Sequence, residues 1–239
     1  MIEIQGLHKR YGRTWVLRDI NVEISAGEFC CLFGPNGAGK STLLRILCTL
    51  TPPHGGRVTI GGFDLPRDAH DVRRLIGYVA HQPMLYLDLS ASENLEFYAR
   101  LYGLKAPRAR IDMLLVQVGL ERRRQDRVRT FSRGMVQRLA IARALLADPA
   151  ILLLDEPDDG LDPQAADELP AFLGHDRTVV MVSHNLMRGL ALARRVLVLA
   201  KGRIALDAAA RDLTLAELEQ HYRRLTSPDA AGTQYRLAA

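Results

Sequence analysis

A glycine-rich loop at 34–41 constrains this chain more than any other feature of its sequence. The loop matches the pattern Gly-x-x-x-x-Gly-Lys-Ser/Thr, follows an apolar run that reads as a buried strand, and precedes a segment with helical spacing. Its glycines allow main-chain N–H groups to wrap a phosphate, and the helix points its positive end at the same anion. Strand, loop and helix in this order are the context that the pattern requires. The predicted nucleotide-binding residues are Gly34, Pro35, Asn36, Gly37, Ala38, Gly39, Lys40, Ser41 and Thr42.

Two side chains of this loop carry specific chemistry. Lys40 is expected to reach the β- and γ-phosphates of a nucleotide, and the Ser41 hydroxyl can ligate Mg²⁺. A chance match to the pattern is expected in on the order of one chain in a hundred of this length. The strand and helix on either side make chance a poorer explanation still.

A second element supplies the acids that such a site needs. Four apolar residues at 151–154 are followed by Asp155 and Glu156, so a buried strand should deliver both carboxylates to the edge of the sheet where ligands bind. Asp155 is expected to hold Mg²⁺ through water, and Glu156 to polarise an attacking water. Alone, the two acids could equally be helix-capping carboxylates in a loop. The glycine-rich loop at 34–41, a P-loop, favours a catalytic role for the two acids. The two motifs together are nevertheless compatible with any P-loop NTPase.

The apolar pattern predicts an α/β fold. Alternating patches at 2–24 read as antiparallel strands, whereas apolar strands at 151–154, 178–182 and 196–199 are separated by helices and indicate a mostly parallel sheet. We expect one domain at 1–207, with a helical subdomain at about 87–147, and a C-terminal helix and tail at 208–239.

Composition and cysteine usage indicate the compartment. The chain has 239 residues, 48% apolar and 25% charged, and can bury a core without disulfides or metals. Its cysteines, Cys30, Cys31 and Cys48, form no repeated pattern, which favours a reducing environment and disfavours a metal site. No signal-peptide pattern and no apolar run of about 18 residues is visible. We therefore predict a cytoplasmic chain that acts on a membrane only through partners.

The net charge of +5 comes largely from arginine, most densely at 122–129. A solvated surface is the simplest interpretation, and contact with an anionic membrane or with nucleic acid is the alternative. Aromatic residues are not interleaved with these arginines, so we expect no nucleic-acid partner.

A third motif narrows the family. Residues 131–139 read Phe-Ser-Arg-Gly-Met-Val-Gln-Arg-Leu, Gln82 precedes them, and Gly160-Leu161-Asp162 and His184 follow. With these motifs the chain resembles the ATP-binding-cassette (ABC) family from about 2 to 207. The resemblance implies a P-loop NTPase of ABC type, with a mostly parallel core sheet, an antiparallel β subdomain and a helical subdomain that carries the signature motif.

The resemblance also implies that two chains pair head to tail with two ATP molecules between them. The signature residues Ser132, Arg133 and Gly134 would face the γ-phosphate held by the other chain, and Asp162 would cross towards that partner site. A serine hydroxyl and a glycine N–H at a helix N-terminus can form such an anion site.

Four further residues match family positions. Tyr11 would stack on adenine with Val16 packing nearby, Gln82 would meet Mg²⁺ and the attacking water, and His184 would contact the γ-phosphate. Each has a simpler explanation: Tyr11 as a turn aromatic, Gln82 as part of a surface turn, and His184 as a structural histidine.

Two departures from the usual family pattern stand out. Arg133 and Met135 replace the first Gly and the Gln of Leu-Ser-Gly-Gly-Gln, a variant associated with exporters. Asp158 and Asp159 stand before Gly160, where Ser or Thr is more usual, and these two carboxylates leave the details of the contact with the partner chain open.

These features predict the ATP-hydrolysing subunit of an ABC exporter that drives separate transmembrane permease subunits. It should form a homodimer, or a heterodimer with a second ATP-binding subunit, at the cytoplasmic face of the inner membrane. Residues 93–103 and the signature look most like the haem exporter ATPase of cytochrome c maturation, and a drug, lipid or polysaccharide exporter is the alternative. An ABC ATPase acting on nucleic acid or ribosomes is remote because 82–132 is too short for a coiled-coil arm.

The apolar and aromatic segment 82–87 is the predicted docking site for the permease. The alternative is that these side chains fold into the helical subdomain.

Overall fold

Two sheets and a helical segment build the protein in a computed structural model that describes residues 1–159, 168–174, 176–226 and 235–236. The strands are β1 (Ile2–Tyr11), β2 (Thr14–Ile24), β3 (Phe29–Phe33), β4 (Gly55–Ile60), β5 (Phe63–Leu65), β6 (Ile76–Val79), β7 (Ile151–Asp155), β8 (Thr178–Val182), β9 (Arg195–Ala200), β10 (Arg203–Ala209) and β11 (Tyr235–Arg236).

Helices alternate with the later strands. They are α1 (Lys40–Leu47), α2 (Ala69–Leu75), α3 (Ala91–Leu101), α4 (Arg108–Gln117), α5 (Arg133–Leu145), α6 (Leu169–Leu173), α7 (Leu186–Leu192) and α8 (Leu215–Thr226). Short 3₁₀ turns lie at Glu121–Arg123, Val128–Thr130 and Ala210–Asp212.

The N-terminal strands form an antiparallel sheet in the order β2-β1-β4-β5. Side chains alternate along β1, where Ile2 and Ile4 are buried and Glu3 is exposed between them. This alternation gives the sheet one apolar face, which packs on the core, and confirms the antiparallel prediction for 2–24.

The core sheet has the order β11-β10-β9-β3-β8-β7-β6. Strands β9, β3, β8, β7 and β6 run parallel, and β10 pairs antiparallel with β9. Every residue of β7 and β8 is buried, as expected for strands covered on both faces. Cys30 and Cys31 point to opposite faces of β3, because each packs in a different apolar cluster.

The helical segment, which consists of α3, α4 and α5, lies on the same side of the core sheet as Cys31 and Phe33. Helix α3 begins at Ala91 because Ser90 caps it: the Ser90 hydroxyl accepts the Glu93 N–H, and the Glu93 side chain accepts the Ser90 N–H. Residues 87–90, which the sequence pattern placed in the helical stretch, therefore form the turn before α3.

The parallel arrangement brings the functional loops together. Strands β3, β7 and β8 are neighbours, and their carboxyl ends lead into the P-loop, Asp155-Glu156 and Ser183-His184 respectively. Ligands bind at this edge in open α/β sheets. Within the described residues, none of the helices combines the length and the apolar character needed to cross a bilayer.

The arginine-rich segment is exposed and largely paired. Arg123 contacts Asp126, Arg124 contacts Asp112, and Arg129 lies 3.4 Å from Asp88. Much of its positive charge is therefore balanced by carboxylates of the same subdomain.

Candidate nucleotide-binding and catalytic site

The P-loop joins β3 to α1, and glycine is required where it enters the helix. Gly39 caps α1 with a φ of +109°, a conformation that other residues rarely adopt. A Cβ atom at this position would lie 2.8 Å from Leu17 Cδ2 and 3.0 Å from the Val16 carbonyl oxygen. The close approach of β2 thus fixes the loop, and the first N–H groups of α1, which have no partner within the helix, point out of its N-terminus.

Lys40 lies folded across this loop. Its ammonium donates to the Gly34 carbonyl at 2.7 Å and to the Pro35 carbonyl at 3.1 Å, and only 6% of the residue is exposed. Burial lowers the pKa of Lys40, and the negative charges of Glu156 and Asp155 partly oppose that shift. A cation is therefore held at the place where the loop would cradle phosphate.

Ser41 and Asp155 meet at the start of α1 and the end of β7. Burial raises the pKa of Asp155, and a hydrogen bond from the Ser41 hydroxyl opposes the shift. Asp155 is 4% exposed, and within the described residues its Oδ1 atom has no hydrogen-bond partner. Mg²⁺ prefers oxygen ligands, and this site offers an unpaired buried carboxylate oxygen beside a serine hydroxyl. These residues therefore fit the ion.

Glu156 stands in an unusual conformation directly after β7. Its φ is +56°, and its N–H donates to the Val182 carbonyl at 3.0 Å. Such a conformation costs about 1 kcal/mol or more outside glycine and is concentrated at functional sites. The hydrogen bond to β8 holds the residue in place, and its carboxylate extends towards the loop after β8.

Two histidines flank that carboxylate. His184 Nε2 lies 2.7 Å from Glu156 Oε1, and His81 Nδ1 lies 3.7 Å from Glu156 Oε2. The structure thus places the predicted His184 beside the predicted Glu156. Sequence reasoning missed His81, whose signal was its place directly before Gln82. Gln82 itself is exposed at the start of the loop that follows β6.

The signature motif forms the N-terminus of α5. Ser132 caps the helix by accepting the Met135 N–H at 3.2 Å. Arg133 Nη2 contacts Asp159 Oδ2 at 2.5 Å, and Gln137 Nε2 donates to the Pro157 carbonyl at 3.0 Å in a buried position. Both contacts lead to the turn that follows Glu156, and sequence reasoning had not identified Gln137.

The unusual carboxylates of that turn each face an arginine. Asp159 contacts Arg133, and Asp158 Oδ2 lies 3.5 Å from Arg188 Nη1 at the start of α7. The predicted trans-acting Asp162 and its neighbours Gly160 and Leu161 lie outside the described residues.

A pocket of about 340 Å³ lies against the P-loop. Its lining includes Trp15, Val16, Gly37 and Lys201. Val16, the predicted neighbour of the adenine, lines this pocket. Tyr11 is half-exposed at the end of β1, with the Lys9 ammonium 5.3 Å from its ring centroid. Within the described residues the lining includes Trp15 and not Tyr11, which sequence reasoning did not anticipate.

In the segment after Gln82, one apolar side chain packs inward and three are exposed to solvent. Met84, Tyr86 and Leu87 are exposed, whereas Leu85 packs against the apolar cluster of the helical segment. The Tyr98 hydroxyl donates to the Met84 carbonyl at 2.5 Å. Leu85 is thus partly buried and the other three apolar side chains are exposed, and docking of a permease on this segment stays a prediction.

Comparison with known proteins adds the family. Residues 17–159 match the family described as ABC transporter. The chain is 36% identical over 219 residues to the Nod factor export ATP-binding protein I of Cupriavidus pinatubonensis, an alignment that covers 89% of this chain and 67% of that protein. It is 36% identical over 218 residues to the daunorubicin resistance ATP-binding protein DrrA3 of Streptomyces coeruleorubidus, covering 89% and 69%.

Solved structures agree with these matches. The ATP-binding cassette MJ0796, described as a dimer in a post-hydrolysis state bound to ADP and Pi, superposes with a TM-score of 0.81 at 29% identity, covering 88% of this chain and 99% of that one. A structure described as the ATP binding subunit of an ABC transporter gives 0.84 at 30% identity, covering 95% and 100%. The predicted α/β fold of ABC type is confirmed.

Proposed function

This chain belongs to the ABC transporter family and is an ATPase, and we propose that it powers an exporter whose membrane-spanning part is a separate permease. Two relatives at 36% identity support this, since their names describe an ATP-binding protein for export and one for drug resistance. The chain would lie peripherally at the cytoplasmic face of the membrane and be held there by its permease.

The cargo we propose is a drug, lipid or polysaccharide. The names of the two relatives refer to Nod factor and to daunorubicin, and neither refers to haem or cytochrome c. Haem export, the other interpretation of the sequence, has less support. The cargo is expected to contact the permease and not this chain.

The catalytic part of the proposal rests on the Glu156 carboxylate, held 2.7 Å from His184 at the mouth of the P-loop. Glu156 would accept the proton of the attacking water, and His184 and Gln82 would orient the water and the γ-phosphate. Lys40 would leave the carbonyls of the loop for the β- and γ-phosphates. Ser41 and Asp155, with Gln82, would hold Mg²⁺, which neutralises charge on the phosphates when bound.

ATP would also join two copies of the chain, or this chain and a second ATP-binding subunit. Ser132, Arg133 and Gly134 would meet the γ-phosphate held by the partner, and Asp162 would cross to the partner site. Support comes from the dimeric cassette MJ0796 with its bound ADP and Pi. The adenine would lie near Tyr11 and Val16.

The permease would dock on the exposed side chains of 82–87. Partner sites are commonly exposed apolar patches such as the one at 82–87.

We propose residues 1–207 as the ATP-binding domain, with the helical subdomain at about 87–147, and 208–239 as a C-terminal addition.

Glu156→Gln tests the catalytic part. The amide keeps the shape of the side chain and removes the proton acceptor, so ATP should bind, hydrolysis should fall at least 100-fold, and a dimer should accumulate with ATP. Gel filtration with ATP and a phosphate-release assay measure both effects. The matched control is Glu121→Gln, an exposed acid in the 3₁₀ turn after α4, which should behave as the parent chain. A monomer at saturating ATP, or unchanged hydrolysis, would contradict the proposal.

A further inference from the structure

The two departures from the usual family pattern contact each other. Arg133 Nη2 lies 2.5 Å from Asp159 Oδ2, although the two residues are 26 positions apart in sequence. Both side chains remain accessible, with 69% of Arg133 and 41% of Asp159 exposed. The signature position and the turn after β7 are thus joined by an ion pair that solvent, or another molecule, can reach.

This ion pair lies at the catalytic glutamate. One ligand atom each of His81, Glu156 and Asp159 lie within 4.8 Å of one another. At that separation two carboxylates repel each other, and Arg133 supplies the compensating charge. The same turn is anchored to α5 by the buried hydrogen bond from Gln137 to the Pro157 carbonyl. The Gln137 anchor fixes α5 to the turn, so the Arg133 side chain can change partners without moving the helix.

The energies favour exchange when a phosphate approaches. An exposed Arg–carboxylate pair is weak because water competes for both charges. A phosphate offers more negative charge and a bidentate partner for the guanidinium. Arg133 also follows the N-cap of α5, where the helix dipole favours an incoming anion.

We propose that Arg133 exchanges Asp159 for the γ-phosphate of ATP bound to a second copy of this chain. The Arg133–Asp159 pair is then an internal competitor that raises the ATP concentration needed for pairing. This inference rests on the proposed function, since it requires a dimer closed by ATP. It also accounts for both departures together: Asp159 balances the charge that Arg133 adds to the signature.

The test uses full-length Glu156→Gln chains, in which ATP-dependent dimers persist. Asp159→Asn, Arg133→Ala and the double substitution are compared by sedimentation across an ATP titration. Asp159→Asn should lower the ATP concentration for half-maximal dimerisation about two- to fivefold, because it removes the competitor. Arg133→Ala should raise that concentration about tenfold, because it removes a charged phosphate contact. In the Arg133→Ala chain, Asp159→Asn should have no effect.

Arg123 and Asp126 provide the matched control. This pair is 2.6 Å apart and similarly exposed, and it lies in the 3₁₀ turn after α4 and the residues that follow it. Asp126→Asn and Arg123→Ala should leave the ATP titration unchanged. An Asp159→Asn effect of equal size with and without Arg133, or a titration that Arg133→Ala does not move, overturns the exchange. Absence of ATP-dependent dimers in the Glu156→Gln chain itself overturns the proposed function and this inference with it.

Discussion

The loop that carries Gln82 depends on one buried side chain, Asn94, and its replacement gives a measurable prediction. Asn94 is fully buried in the first turn of α3. Its amide nitrogen donates to the carbonyls of Tyr86 at 2.9 Å, Ser90 at 2.9 Å and Leu89 at 3.4 Å, and its oxygen accepts the Tyr86 N–H at 2.8 Å. One side chain therefore replaces a strand partner for the main chain at Tyr86.

Asn94→Ala should destabilise the protein by about 2–3 kcal/mol. The N–H and carbonyl of Tyr86 each lose a hydrogen bond worth about 1 kcal/mol net, and the missing amide leaves a small cavity that costs about another 1 kcal/mol. The Ser90 carbonyl loses less, because it also accepts the Asn94 N–H at 2.9 Å. For a chain of this length the expected fall in Tm is about 4–12 °C.

Thermal unfolding followed by circular dichroism measures this effect, and Ser92→Ala is its control. Ser92 is buried on the same helix, and among the described residues its hydroxyl has no hydrogen-bond partner. Removing that hydroxyl should leave Tm unchanged or raise it, since burying an unpaired hydroxyl is unfavourable. Equal Tm values for the two variants would refute the role assigned to the Asn94 hydrogen bonds.

Three further outcomes follow from the site. Lys40→Ala should lower ATP turnover at least 100-fold with little change in Tm, because the lost contacts are to two loop carbonyls and the lost charge serves phosphate; turnover near the parent rate would remove Lys40 from the site. Trp15, the single tryptophan of the chain, lines the pocket beside Gly37. Its fluorescence should therefore change on ATP titration in the parent chain and not in Lys40→Ala. Unchanged fluorescence despite measured ATP binding would show that Trp15 does not lie near the nucleotide. Tyr86→Asp should release the chain from membranes that contain its permease and leave ATP binding intact. Val116→Asp, on the exposed face of α4, should change neither membrane association nor ATP binding; equal membrane recovery of both variants would contradict docking at 82–87.

The sequence predicted those features that depend on neighbouring residues. The sequence predicts the strands at 151–154 and 178–182 because unbroken apolar runs mark strands covered on both faces. The P-loop was recognised because its chemistry is encoded in eight consecutive residues. In both cases a short window contains all of the physical information.

Contacts between distant residues were beyond such a window. His81 and Trp15 approach the site from β6 and β2; the place of His81 directly before Gln82 is its one local signal, and Trp15 has none. Gln137 reaches the turn at Pro157 across 20 positions. The compensation between Arg133 and Asp159 was likewise invisible, since each looked like an independent departure until the fold brought α5 and the end of β7 together.

The same long-range contacts connect the proposed docking segment to the signature helix. The Tyr98 hydroxyl holds the Met84 carbonyl, and the guanidinium of Arg143 lies 5.3 Å from the Tyr98 ring centroid. Arg143 is buried in the last turn of α5 and also donates to the Tyr78 carbonyl of β6, the strand that leads into Gln82. These contacts connect the proposed docking segment at Met84 to α5, which begins after Ser132, and to β6, which precedes Gln82.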